Sequence, residues 1–205
     1  MLSRIPPYHL MIEARQRAFE KIRDTKMENT GSKKEDREIM NKEKQRLLDK
    51  WKKYLQEKSK AGARTREAIL PIWEQWINRR HGNMSFRLTQ LFTGHGVFYA
   101  FLNRIGKENT DICPHCTSNE RDTAEHTLIE CEAWIEERRE LLERINISID
   151  ELTLKSLAKE MVTSKDNWSA AHRFAEKVIL KKEKQERQFE AEAEPSSEEA
   201  EIGSD

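Results

Sequence analysis

Four residues with metal-ligand chemistry lie close together in this sequence. Their spacing is C-x2-C-x9-H-x4-C, and the chain has no cysteine outside this pattern, which comprises Cys113, Cys116, His126 and Cys131. Three thiolates and one imidazole complete the tetrahedral shell that structural zinc prefers, and they leave no position open for a substrate. The spacing therefore predicts one structural Zn²⁺ and no metal-based catalysis.

The two halves of this pattern require different local structures. Pro114 fixes one backbone angle inside the first C-x2-C, which helps both sulfurs to face one point. Five positions along an α-helix turn by about 140° and rise by about 7.5 Å, so His126 and Cys131 cannot face one ion from one regular helix. We expect a helical turn that ends near Leu128 or Ile129, with Cys131 beyond it.

Two other interpretations of the cysteines stay open. They could be reduced thiols without a metal, which their clustering disfavours, or they could serve a redox reaction. An odd number of cysteines in a chain without a signal-peptide pattern disfavours a disulfide framework. The ring of His115, inside the first C-x2-C, would have to fold back to reach the ion, so we expect it to be exposed and available to a partner.

Charge is segregated along the chain although it sums to zero. Residues 33–66 carry thirteen Lys or Arg against six Asp or Glu, a net of +7, whereas residues 190–205 carry seven acids and no base. The basic stretch, which contains Lys50, Lys52 and Lys53, either binds phosphates through counterion release or is a solvated face. The acidic stretch has too few apolar residues to offset its ordering entropy, so we expect it to be disordered.

The sequence predicts an all-α protein, an irregular helical bundle with one small zinc knuckle and a long basic helix. Glycine and proline are scarce, and apolar residues recur at spacings of three and four. Ser32 with Glu35, and Ser148 with Glu151, form capping-box patterns that begin helices. The predicted segments are an N-terminal amphipathic helix (1–31), a basic helix (32–67), a helical core with a Thr-Gly-His-Gly corner (68–111), the knuckle (112–134), C-terminal helices (135–189) and the disordered acidic tail (190–205).

Several classes of protein are disfavoured by what the sequence lacks. It has no apolar run of about eighteen residues, which a membrane span requires, and its first residues do not resemble a signal peptide. We therefore expect an intracellular protein, in either nucleus or cytoplasm. No phosphate-binding loop and no Ser-His-Asp set stands out, so we expect neither a small-molecule substrate nor catalysis by the chain alone.

Two aromatic features allow both a functional and a structural interpretation. His95 lies between two glycines and could act as a base, but a corner histidine bonded to backbone carbonyls is the simpler interpretation. Trp73 and Trp76 could stack on bases. Core packing is favoured for both, because they continue the apolar face that Ile69 and Ile72 begin.

The order of the motifs between Trp73 and Trp134 carries a resemblance. The motifs are Trp73-x2-Trp76, the corner Thr93-Gly94-His95-Gly96, the aromatic-rich stretch from Phe98, Cys113-Pro114-His115-Cys116, and Ala124-Glu125-His126 leading to Cys131. In this order they resemble the carboxy-terminal region of reverse transcriptases from non-LTR retrotransposons. The resemblance implies a fragment without the polymerase catalytic domain, with the three cysteines and the histidine as zinc ligands. It also implies RNA or DNA as partners and allows a polymerase subunit; another helix as partner would instead pair with the apolar stripe of residues 40–55.

We therefore expect a zinc-binding, nucleic-acid-binding module that holds RNA template or target DNA rather than an enzyme. The candidate contacts are Lys50, Lys52, Lys53, Arg121, Arg138 and Arg139. The arginines near the knuckle could instead offset the net charge of a zinc ion with three thiolates. Residues 114–130 contain no Phe, Trp or Tyr, so base-specific reading by the knuckle is not expected. The alternatives are a protein-interaction scaffold that uses the apolar stripe of residues 40–55, and a retroelement fragment without a function.

Overall fold

The computed structural model describes residues 1–28, 31–57 and 62–193 of the chain. Across these ranges the regular structure is helical, with one isolated β-bridge and no strand, so the predicted all-α fold is confirmed. None of the helices in these ranges is long and apolar enough to span a membrane. The helices are α1 (Tyr8–Met27), α2 (Lys33–Glu57), α3 (Ala63–Ile69), α4 (Trp73–Asn78), α5 (Phe86–Thr93), α6 (Tyr99–Arg104), α7 (Ile135–Ile145), α8 (Leu154–Thr163) and α9 (Lys165–Ala193).

Short helical turns complete the fold. Single 3-10 turns lie at Leu70–Ile72, Glu132–Trp134 and Ile149–Glu151, and one π-helical turn lies at His126–Glu130. The chain divides into two compact units, Met1–Arg80 and His81–Asp205. This division falls inside the segment 68–111 that the sequence predicts as one helical core; the other predicted boundaries stay predictions.

In the first unit, α1 packs against α2. The capping box that begins α2 is confirmed, because the amide of Glu35 donates to Ser32 Oγ at 3.2 Å and the amide of Ser32 donates to Glu35 Oε2 at 2.8 Å. Leu10 of α1 forms a buried cluster with Trp51 and Trp73, against which the apolar side chains of α2 pack, namely Leu47, Leu48, Tyr54 and Leu55. Much of the narrow apolar stripe of α2 is therefore covered within this chain.

The favoured interpretation of the paired tryptophans is also confirmed. Trp73 is 4% exposed and Trp76 is 0% exposed. The rings of Trp51 and Trp73 meet edge to face with centroids 4.9 Å apart, a geometry that aromatic pairs prefer. Both tryptophans of the motif are core residues.

A buried carboxylate joins α1 to α2. Glu43 is only 3% exposed, and it accepts hydrogen bonds from Arg17 Nε at 2.8 Å and from Lys21 Nζ at 2.6 Å. The hydrogen bonds from Lys21 and Arg17 lower the pKa of Glu43 to about 2. This carboxylate therefore stabilises the hairpin in its charged form.

In the second unit, α9 packs against α5, α7 and α8. Ser85 caps α5 by accepting from the amide of Leu88 at 3.1 Å. The Ser148–Glu151 capping box is present, but it begins a single 3-10 turn rather than the predicted helix. The helix begins later, because Thr153 caps α8 by accepting from the amide of Ser156 at 3.0 Å.

The predicted corner between α5 and α6 is confirmed. Gly94 and Gly96 have φ angles of 71° and 101°, which side chains with a Cβ rarely adopt. A Cβ on Gly96 would lie 1.9 Å from Gln90 Oε1, the atom that accepts a hydrogen bond from the amide of Val97 at 3.1 Å. The corner is therefore built around the buried Gln90 side chain, and α6 begins at Tyr99.

Some predictions fall outside the described residues. They concern residues 29–30 of the predicted segment 1–31, residues 58–61 of the predicted segment 32–67, and residues 194–205 of the predicted acidic tail. Residues 190–193 belong to α9, so the last helix extends beyond its predicted end at Phe189.

Candidate metal centre

The four predicted ligands come together in the structure. One ligand atom from each of Cys113, Cys116, His126 and Cys131 lies within 4.8 Å of every other. The sulfurs of Cys113 and Cys131 are 3.8 Å apart, and Cys116 Sγ is 3.4 Å from His126 Nε2. A tetrahedral site with metal–sulfur bonds of about 2.3 Å has sulfur–sulfur edges of about 3.8 Å. The group could therefore hold a metal ion.

Backbone hydrogen bonds close the loop that carries the first two cysteines. An isolated antiparallel bridge joins Ile112 to Arg121, and the amide of Cys113 donates to the carbonyl of Glu120 at 2.8 Å. Cys113 is buried, while Cys116 is partly accessible. The loop thus holds one sulfur inside the second unit and the other near the surface.

A wide helical turn carries the second pair of ligands. His126–Glu130 forms a π-helical turn, and the amide of Cys131 donates to the carbonyl of His126 at 2.7 Å. The prediction that Cys131 lies beyond the turn is confirmed. The turn ends at Glu130 rather than at Leu128 or Ile129, because a π-turn spans one residue more than an α-turn.

A carboxylate lies beside the His126 ring, on the side away from Cys116. His126 is 3% exposed, its Nε2 faces Cys116 Sγ, and its Nδ1 lies 3.4 Å from Glu130 Oε2. Carboxylates commonly accept the second N–H of a metal-bound histidine, which fixes the tautomer that binds the metal. His126 therefore presents Nε2 as the ligand atom, with Glu130 behind it.

The two buried sulfurs, those of Cys113 and Cys131, share a hydrogen bond. The hydrogen bond with Cys131 and burial raise the pKa of the Cys113 thiol, while the hydrogen bond with Cys113 lowers the pKa of Cys131. In this pair Cys131 loses its proton first, and the Cys113 thiol donates to it. A divalent cation replaces that proton, because metal-bound cysteine is a thiolate.

A buried ion pair, which sequence reasoning missed, fixes the knuckle against α9. Asp122 and Lys182 are 0% and 1% exposed, and Lys182 Nζ donates to Asp122 Oδ1 at 2.6 Å. The same carboxylate accepts from the amide of Tyr99 at 2.9 Å and from Thr127 Oγ1 at 3.4 Å. Asp122 thus connects the start of α6, the metal-binding turn and α9.

Arg138, a predicted nucleic-acid contact, lies in the interior instead. It is 6% exposed; its Nε donates to the carbonyl of Leu128 and its Nη2 to the carbonyl of Cys131, both at 2.8 Å. These carbonyls belong to the metal-binding turn and to one ligand residue. The visible role of Arg138 is to hold the second half of the site, and its guanidinium is not available at the surface.

Of the other predicted basic contacts, all except Lys52 are exposed, and each exposed one pairs with a carboxylate. Arg121 donates to Asp111 at 2.6 Å, and Arg139 pairs with Glu136 and Glu143. Lys50 pairs with Glu13 at 2.5 Å and Lys53 with Glu57 at 3.6 Å. Lys52 is partly buried.

His115 departs from its predicted exposure. It is half-buried, and its ring centroid lies 5.2 Å from that of Trp134. Burial lowers the pKa of His115 to about 4, so its ring is neutral at pH 7. Within the knuckle, His115 packs against Trp134. It is not one of the four clustered ligands.

Comparison of this chain with known proteins identifies no family. No family model matches the chain, and neither a curated protein nor a solved structure matches it. The chemistry of the site is therefore inferred from its own residues.

Proposed function

We propose that this chain is a zinc-binding helical module that binds nucleic acid and does not catalyse a reaction on its own. The observation that carries the proposal is the four-atom cluster, whose 3.8 Å sulfur–sulfur distance fits the edge of a tetrahedral site. Three thiolates and an imidazole favour zinc over calcium or magnesium, which prefer oxygen ligands.

A structural role for the ion follows from the ligand set. Cys113, Cys116, His126 and Cys131 would fill all four positions, which leaves none for water or substrate. When bound, zinc joins the loop after α6 to the turn before α7. The cluster and the order of the surrounding motifs together support the resemblance to the carboxy-terminal part of a retrotransposon reverse transcriptase, which we retain as part of the proposal.

The positive charge of α2 supports binding to nucleic acid. Helix α2 carries nine Lys or Arg against six Asp or Glu, and most of its basic side chains are exposed. Phosphate contacts by such side chains release counterions and give affinity that falls with salt. The scaffold alternative is less favoured, because the apolar stripe of α2 already packs against α1 and Trp73.

A salt titration tests this proposal. Binding of the zinc-loaded chain to structured RNA and to duplex DNA is measured over a range of salt concentrations, for the wild type and a K50Q/K52Q/K53Q variant. We expect the variant to bind more weakly. The slope of log K against log[salt] should fall in magnitude by up to about three, at about one per lost phosphate contact.

The matched control removes the same charge elsewhere. K155Q/K159Q/K165Q changes three exposed lysines of α8 and α9, and it should bind as the wild type does. Binding that is independent of salt, or no binding at low ionic strength, contradicts the proposal.

A further inference from the structure

A partly exposed aromatic stack lies at the corner between α5 and α6, and the proposed metal centre does not use it. The ring of His95 stacks on Phe101 with centroids 4.7 Å apart and planes inclined by 27°. The guanidinium carbon of Arg104 lies 5.1 Å from the Phe101 centroid. Three side chains with delocalised electrons thus form one cluster on the surface of the second unit.

The backbone places these side chains together. The two positive φ angles at Gly94 and Gly96 turn the chain so that His95 faces α6, and Phe101 and Arg104 are three positions apart on that helix. The expectation that His95 bonds to backbone carbonyls is wrong: its ring stacks, and its backbone amide lies 3.4 Å from Thr93 Oγ1. His95 is exposed, so a further ring can reach it.

Two basic residues lie at and just after the end of α6, close to this stack in sequence. Arg104 and Lys107, at the end of α6, are both exposed. Within the described ranges, neither forms an ion pair with a carboxylate.

We propose that His95, Phe101 and Arg104 form a stacking site for an unpaired base of single-stranded nucleic acid, with Arg104 and Lys107 next to the flanking phosphates. Aromatic rings and arginine planes are the groups on which proteins stack unpaired bases. The knuckle has no Phe, Trp or Tyr between residues 114 and 130, and Trp134 at its end is buried. This inference rests on the proposed function and names the form of nucleic acid that the chain recognises.

The test uses a single-stranded oligonucleotide with one 2-aminopurine, whose fluorescence falls on stacking, beside the matched duplex. RNA and DNA versions are measured separately with the zinc-loaded full chain. H95A should bind the single strand about ten-fold more weakly than the wild type and quench less, while its affinity for the duplex is unchanged.

Two further variants separate stacking from folding. H95F keeps a ring at this position and should restore both affinity and quenching. F86L changes another exposed phenylalanine of the same unit, 75% exposed, and should behave as the wild type does. Circular dichroism establishes that each variant is folded.

The outcomes distinguish this inference from the proposed function. If binding depends on salt but H95A and the wild type bind the single strand with equal affinity and quenching, the stacking site is overturned and the proposed function stands. Equal losses for single strand and duplex also overturn it. Absence of binding by the wild-type chain at low salt overturns both.

Discussion

The buried pair of Asp122 and Lys182 gives the sharpest test of how the knuckle is held in place. Both side chains are almost completely inaccessible, and their charged atoms are 2.6 Å apart. Lys182→Met removes the cation but keeps an unbranched apolar side chain of similar length. Asp122→Asn removes the anion but keeps an oxygen that can accept from the amide of Tyr99.

The expected magnitude follows from the charge that remains. A buried ion without its partner costs about 3–5 kcal/mol, because the desolvation of the remaining charge is no longer compensated. The remaining bonds to Asp122 come from neutral donors, the Tyr99 amide and Thr127 Oγ1. Each single variant should therefore lose about 3–5 kcal/mol of unfolding free energy, a large part of the about 5–15 kcal/mol that domains have in total.

The double variant should recover most of this loss. With both charges removed, an amide and a thioether occupy the site, and replacing a buried ion pair by neutral groups is often nearly neutral. Urea unfolding of the zinc-saturated chain, followed by tryptophan fluorescence, gives the free energies for a double-mutant cycle. We expect a coupling energy of at least about 2 kcal/mol.

Two results would contradict a buried, mutually dependent pair of Asp122 and Lys182. A loss below about 1 kcal/mol in Lys182→Met would mean that Asp122 is solvated in solution. Additive losses in the double variant, without recovery, would mean that the two side chains do not depend on each other.

Three further predictions concern other residues. In the folded chain Glu43 has a pKa of about 2, below its ordinary value of 4.5. The charged carboxylate therefore stabilises the folded chain fully above pH 4.5, and this contribution is lost as the pH falls towards 2. E43Q should reduce the pH dependence of the unfolding free energy in acid titrations. G96A should lower the unfolding free energy by more than about 1–2 kcal/mol in urea, because its φ is positive and its Cβ meets Gln90. R138M should lose about 1–3 kcal/mol for each of two unpaired buried carbonyls, whereas the exposed R139M should change stability by less than about 0.5 kcal/mol in the same assay.

The helices, the corner and the metal-binding cluster can largely be predicted from short-range sequence patterns. The ligand spacing predicts the cluster because each half of the site is formed within a few residues. The corner at Gly94 and Gly96 is predictable because both positions need backbone angles that other residues resist. The wide turn before Cys131 follows from simple helix geometry, although its end at Glu130 does not.

Long-range pairings could not be predicted in the same way. Asp122 and Lys182 are sixty positions apart, and in sequence they look like ordinary surface residues in a chain that is 36% charged. In sequence Arg138 resembles its neighbour Arg139. Only the packing of α7 decides which of the two is buried, because Arg138 lies on the inward face of the helix and Arg139 is exposed. The partners of Glu43 likewise depend on how α1 meets α2.

The most direct test of the central claim is the metal content of the chain after purification in the presence of zinc, with X-ray absorption to identify the ligands. We expect about one tightly bound zinc per chain, coordinated by three sulfurs and one nitrogen in a tetrahedral arrangement. We also expect chelation to lower the helical circular dichroism signal through loss of structure in residues 97–145. Less than about half an equivalent of zinc, or a coordination shell dominated by oxygen, would contradict the central claim.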